Sequence, residues 1–147
     1  MDQPTADEAL RALQPLVGDW TITARWPNGE PWPGGGSMSV EWLPTRRLLI
    51  QRTTMDLPEA PDTVAVIGCD AANGTYTQVY SDNRDVCRIY QMSIGDNEWR
   101  LWRDGEPFAQ RFIGRFSPDG RTITAQWEAA EADEYRIDFD LVYTRVD

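Results

Sequence analysis

The chain contains no lysine and no histidine. Those absences remove lysine Schiff bases, imidazole general bases and histidine-ligated zinc or haem from the available chemistry. All 14 basic residues are arginine, a side chain that keeps its charge where a lysine would titrate. Positive charge is also outnumbered: 24 acidic residues leave a formal net charge of −10, which repels phosphate backbones and anionic lipid headgroups. Neither a nucleic acid nor a membrane is expected as a partner. No apolar run approaches the roughly 18 residues that a spanning helix needs. Met1-Asp2-Gln3-Pro4-Thr5 lacks the basic and apolar regions of an export signal, so the expected compartment is the cytoplasm. Cysteine is nearly absent. Cys69 and Cys87 fall on strands that a third strand should separate, which puts them about 9 to 10 Å apart at the least. That is too far for a disulfide, and both read as free thiols in a reducing compartment.

What remains is enough for one domain, residues 1–147, around a single core. Thr5-Ala6-Asp7-Glu8 has capping-box spacing, and Ala9, Leu10, Leu13 and Leu16 or Val17 recur at helical intervals until Pro15 and Gly18 intervene. A helix of about three turns over 5–15 is predicted, with one apolar stripe. From Gly18 onward the period is two. Strands are predicted over 19–26, 37–43, 46–55, 62–69, 75–81, 85–94, 98–103, 107–116, 121–128 and 134–145. The punctuation is hairpin chemistry: Asn73-Gly74 suits a primed turn, Gly95-Asp96 a two-residue loop with glycine first, and Ser117-Pro118-Asp119-Gly120 a type I turn. A meander of about ten antiparallel strands presents two unprotected edges unless it closes. An all-β, up-and-down barrel is therefore expected. The long connection from Pro27 to Gly36 reads as a flap; its glycines precede a strand rather than a helix, which excludes a phosphate cradle.

Alternation sorts the side chains into two faces. With Trp20 inward, Ile22, Ala24 and Trp26 follow. Hairpin parity then groups Val86, Arg88, Tyr90 and Met92 with Trp99, Leu101 and Arg103. It groups Phe108, Gln110, Phe112, Gly114 and Phe116 with Ile123, Ala125 and Trp127, and adds Tyr135, Ile137, Phe139, Leu141 and Tyr143. A five-residue loop would align Tyr80 with Val86, Gln78 with Arg88 and Tyr76 with Tyr90. The inward face is apolar and aromatic with a polar minority: Gln78, Tyr80, Arg88, Tyr90, Arg103 and Gln110, joined by Asp82 and Arg52. Two arginines on adjacent strands of one face repel and need an acceptor. Either Asp82 or Asp104 pairs with them, or they stand exposed at the mouth, or they bind an anionic or carbonyl group of a ligand. The body of that ligand would lie along Trp26, Trp99, Phe112 and Trp127, with Trp32 of the flap closing over it. Outward Ile89, Trp102 and Ile113 form an apolar patch compatible with a homodimer.

Gly18-Asp19-Trp20 after a short helix, ten meandering strands and a last strand ending Tyr143-Thr144-Arg145 resemble the calycin superfamily of lipocalins and fatty-acid-binding proteins. The resemblance implies that Trp20 plugs the closed end of the barrel with Arg145 across its ring, Gly18 allowing the chain to swing from helix to strand. Leu13 to Trp20, Glu41-Trp42-Leu43 with Arg47-Leu48-Leu49-Ile50, and Arg88-Ile89-Tyr90-Gln91-Met92-Ser93 with Trp99-Arg100-Leu101-Trp102-Arg103 resemble a group of uncharacterised bacterial single-barrel proteins. The chain also looks like nitrobindin, but that barrel holds haem through a histidine. No cofactor and no metal are expected here, since only Tyr, Cys or Met remain as axial ligands.

The function expected is intracellular binding of a small, largely apolar molecule with an acidic or carbonyl group. The alternative is a cofactor-independent isomerase or cyclase acting on a small hydrophobic metabolite in the same cavity. In that case Tyr80, Tyr90, Arg88 and Gln110 would polarise a carbonyl and Asp82 would accept a proton. A third possibility is a barrel filled by its own aromatic side chains.

Overall fold

The computed structural model describes residues 5–105, 109–131 and 134–146. A short helix, α1 (Asp7–Arg11), and a 3-10 turn (Gln14–Leu16) lead into ten strands: β1 (Gly18–Arg25), β2 (Gly36–Trp42), β3 (Leu49–Met55), β4 (Thr63–Asp70), β5 (Thr75–Asp82), β6 (Val86–Gly95), β7 (Glu98–Arg103), β8 (Gln110–Phe116), β9 (Thr122–Glu131) and β10 (Glu134–Arg145). Every strand pairs antiparallel with its neighbours in sequence, and β1 pairs with β10, so the sheet closes as an up-and-down barrel. Closure leaves no edge to pair with another chain. The inward positions expected of Phe108 lie outside the described residues.

Alternation in the sequence becomes alternation in burial. Trp20, Ile22 and Ala24 of β1 are buried while Thr21, Thr23 and Arg25 are exposed. The same period carries Met38 and Val40, Tyr90 and Met92, Trp99 and Leu101, and Leu141 and Tyr143 into one core, and buries Ala65 and Ile67 of β4. On the outer surface Val79 and Ile89 stand exposed on adjacent strands.

The helix is shorter than the 5–15 expectation. It is capped by Ala6 with no side-chain bond, so the capping box of Thr5 and Glu8 does not form. Pro15 lacks an N–H and its ring would clash with the carbonyl of Arg11 in a continued helix. The chain instead restarts as a 3-10 turn with the proline near its start. Leu10, Leu13 and Leu16 still point into the barrel, and the Tyr76 hydroxyl donates to the Ala9 carbonyl at 2.7 Å.

Three turns also differ from expectation. At Asn73-Gly74 only the glycine has a positive φ, and its N–H bonds Asp70 across a four-residue loop rather than a primed turn. The next tight turn falls one residue later than expected. Gly95 still pairs with Glu98, and Asp96 and Asn97 take φ of 53° and 64°, the signature of a type I′ turn. Between β5 and β6 the loop has three residues rather than five, with Asp85 at φ 65°. Tyr80 therefore faces Arg88, Gln78 faces Tyr90 and Tyr76 faces Met92, a slip of two that keeps every side chain on its expected face. Ser117-Pro118-Asp119-Gly120 does form the expected turn, the Gly120 N–H bonding the Ser117 carbonyl at 2.9 Å.

Candidate functional site: a floored cavity with polar walls

The closed end is assembled around one arginine. Arg145 lies over the Trp20 ring, its guanidinium carbon 4.2 Å from the ring centroid. It donates to the carbonyls of Val17 at 2.7 Å and Pro15 at 2.8 Å. The Trp20 indole N–H donates to Leu16 at 3.0 Å, and the chain turns from helix to strand at Gly18 with φ +136°. A side chain there would put its Cβ 2.5 Å from the Arg145 guanidinium. Glycine is required both by the backbone angle and by the space.

Above this floor is a cavity of about 370 Å³, near the lower end of the volumes of small-molecule sites. Nine of the eleven residues proposed from sequence line it: Trp26, Gln78, Tyr80, Arg88, Tyr90, Trp99, Gln110, Phe112 and Trp127. Five rings form a continuous belt: Trp99 to Phe112 at 4.8 Å, Phe112 to Trp127 at 5.0 Å, Trp127 to Tyr90 at 5.6 Å and Tyr90 to Tyr80 at 6.0 Å. At the mouth Trp26 packs on Trp32 at 4.8 Å, and Trp32 on Phe139 at 5.1 Å.

The polar wall is organised in two groups. The Gln110 side-chain oxygen accepts the Tyr90 hydroxyl at 2.8 Å and the Arg88 guanidinium at 3.0 Å. Beside it, the Asp82 carboxylate accepts the Tyr80 hydroxyl at 2.8 Å, the Arg84 guanidinium at 2.6 Å and the Arg84 backbone N–H at 2.8 Å. Burial alone would raise the Asp82 carboxyl, but these bonds outweigh it and hold it at about 2. Burial pushes both tyrosines above the usual phenol range. Asp82 adds to the effect on Tyr80, while Arg88 and Arg103 partly offset it on Tyr90. Deeper in, the Gln78 amide donates to the Gln51 side-chain oxygen at 3.1 Å.

Two proposed residues are elsewhere. Arg52 points outward and pairs with Glu41 at 2.8 Å, half exposed. Its neighbour Gln51 takes the inward place, because β3 continues the parity of Val40 and Gln51 faces that residue. The run Leu48-Leu49-Ile50 hid this: three apolar residues in a row carry no parity. Arg103 faces Gln110 in register but lines a second, more open pocket with Arg88, Cys87, Trp102 and Asp104, and its Nε is buried without a hydrogen-bond partner among the described residues. Asp82 does not meet either arginine of the expected pair, since it is committed to Arg84. Cys69 and Cys87 are free, with β5 between their strands.

The face assignment fails at the top of β10. The register shifts between Ile137 and Phe139, making Asp138 the extra residue of a bulge. Phe139, Leu141 and Tyr143 point in. Before the shift, Ile137 is exposed and Tyr135 lies under the Arg111 guanidinium at 3.9 Å, outside the barrel. The bulge brings Asp138 to the cavity wall, where burial raises its carboxyl. Arg84, Met55 and Leu57 also line the cavity without having been expected to, and so does Gln51. Among the described residues no three His, Cys, Asp or Glu side chains are grouped to hold a metal ion, and no helix is long and apolar enough to cross a membrane.

No family model and no curated protein matches the sequence. Among solved structures, a protein of unknown function from the DUF3598 family of Nostoc punctiforme is similar over 99% of this chain and 100% of its own, at 8% identity and a TM-score of 0.33.

Proposed function

We propose that the barrel binds a small, largely apolar molecule carrying a hydrogen-bond acceptor, held in the cavity against the aromatic belt with its acceptor toward the Arg88–Gln110–Tyr90 wall. The observation that carries this reading is the wall itself. Trp99 and Trp32 line the cavity, and their indole N–H groups are buried with no hydrogen-bond partner among the described residues. A buried tryptophan N–H ordinarily finds an acceptor, and a bound molecule with a carbonyl or carboxylate would supply one. The likeness of the Gly18–Trp20–Arg145 floor to calycin barrels, which carry apolar molecules, supports the same reading. Turnover is the weaker reading: an Asp82 carboxylate held at about 2 is a poor base.

Native mass spectrometry of protein purified from its own cells, followed by a tryptophan-quenching screen of aromatic and fatty acids, tests the proposal. A retained small molecule, or saturable quenching that weakens at least about tenfold in Trp127→Ala, is expected from loss of one aromatic wall. Protein that arrives bare and is quenched by no member of the panel overturns it.

A further inference from the structure

The cavity has a second polar pole that the reading above does not use. Around the closed barrel β10 and β5 are five strands apart in either direction, so they form opposite walls. Arg84 and Arg88 stand at the mouth on the β5–β6 side, and Asp138 stands at the mouth on β10. The two sides do not neutralise one another. Arg84 is taken by Asp82 and Arg88 by Gln110. Asp138 makes no hydrogen bond or ion pair among the described residues, and burial is the one influence on its carboxyl. Asp138 is exposed to water and also lines the cavity.

Its surroundings favour a cation. Phe139 follows it in the chain, Trp32 packs on Phe139, and Trp26 packs on Trp32. All three rings line the cavity with it. Ring faces attract ammonium groups, more strongly where water is excluded, and an unpaired carboxylate adds direct Coulomb attraction. The β-bulge is what creates the arrangement. Without the extra residue, Asp138 would follow the parity that places its neighbours on alternate faces, and the mouth of β10 would present no carboxylate.

We infer that the molecule taken by this cavity is bipolar: a protonated amine lies against Asp138, Phe139 and Trp32, an apolar body crosses the barrel, and an acceptor meets the Arg88–Gln110–Tyr90 wall. This rests on the binding reading above and narrows its ligand to amphoteric molecules long enough to span the mouth.

Isothermal titration with three probes of one shape tests it: 4′-(aminomethyl)biphenyl-4-carboxylate, biphenyl-4-carboxylate, which lacks the amine, and biphenyl-4-ylmethylamine, which lacks the acid. The bipolar probe is expected to bind at least about tenfold more tightly than the acid, the scale of one charge-assisted contact. Asp138→Asn should remove that advantage and leave the affinity for the acid unchanged, with far-UV circular dichroism confirming the fold. Equal binding of acid and bipolar probe overturns the inference and leaves the binding reading standing. So does an Asp138→Asn variant that weakens both alike or neither. Failure of all three probes to bind also overturns the inference, while the binding reading is decided by the native mass spectrometry and quenching screen.

Discussion

Arg145 shows how much a single side chain can hold together in this protein. It stacks on Trp20 and bonds two carbonyls of the segment between helix and strand, so removing it leaves a large ring uncovered and two carbonyls without a donor. Arg145→Ala is expected to cost about 2 to 4 kcal/mol in urea unfolding, combining charge-assisted bonds and a partly desolvated cation–π contact. Gly18→Ala should destabilise by more than about 1 kcal/mol, since both its backbone angle and the guanidinium resist a Cβ. Because the two changes strike the same contact, the double variant should lose less than the sum. This floor was legible through the resemblance of Gly18-Asp19-Trp20 and Arg145 to the calycin pattern rather than from periodicity. Asp82 offers a different test. Its carboxyl is depressed to about 2 from an ordinary 3.8, so its contribution is complete above about pH 4 and disappears as pH falls through about 2. Asp82→Asn should therefore lower stability at pH 7 by about 1 kcal/mol, a modest figure because Arg84 is half exposed. The gap between variant and parent should close as unfolding is measured toward pH 2. A constant gap would mean that the carboxylate is not the source of the stabilisation.

Elements were easier to read than the joints between them. Period-two patterning located all ten strands, because a side chain's face depends only on parity. Register depends on loop geometry, which composition constrains less. The β5–β6 loop closes in three residues since Asp82 caps it through Arg84 and Asp85 accepts a left-handed angle, and neither fact is visible in the residue types alone. The β10 bulge was hidden for a related reason: Tyr135, Ile137, Phe139 and Leu141 alternate without a break, yet the pairing partner β9 slips by one. So nine of eleven proposed site residues reach the cavity, while Asp138 went unforeseen. Turn chemistry gives the element-scale prediction. Asp96 and Asn97 both carry the positive φ of a type I′ turn, for which glycine is preferred at the second place. Asn97→Gly should stabilise the protein by a few tenths to about 1 kcal/mol with unchanged register, as thermal melting and amide-exchange protection of β6 and β7 would show.

At the scale of the whole molecule, closure and cavity are one problem. Ten strands enclose more room than an eight-stranded barrel does, and the space is filled from the floor upward by Trp20, Leu13, Leu16 and Ile123, then left open above the aromatic belt. Composition could not set that balance: seven tryptophans can pack a barrel solid or line a chamber, and the outcome depends on how the rings lean. If the chamber is where the molecule acts, shrinking it should separate binding from folding. Ala65 is buried at 2% exposure, lines the cavity, and lies in register between Gln51 and Tyr80. Ala65→Leu places three more carbon atoms into free space. Each buried methylene stabilises by roughly 0.8 kcal/mol, and the overpacking cost that such a change carries in a dense core, about 1 to 3 kcal/mol, is relieved by the room available. The melting temperature should accordingly hold or rise while ligand quenching weakens at least about tenfold. Intact binding in that variant would place the ligand outside the barrel, and a collapsed melting temperature would show that the wall around Ala65 is already filled.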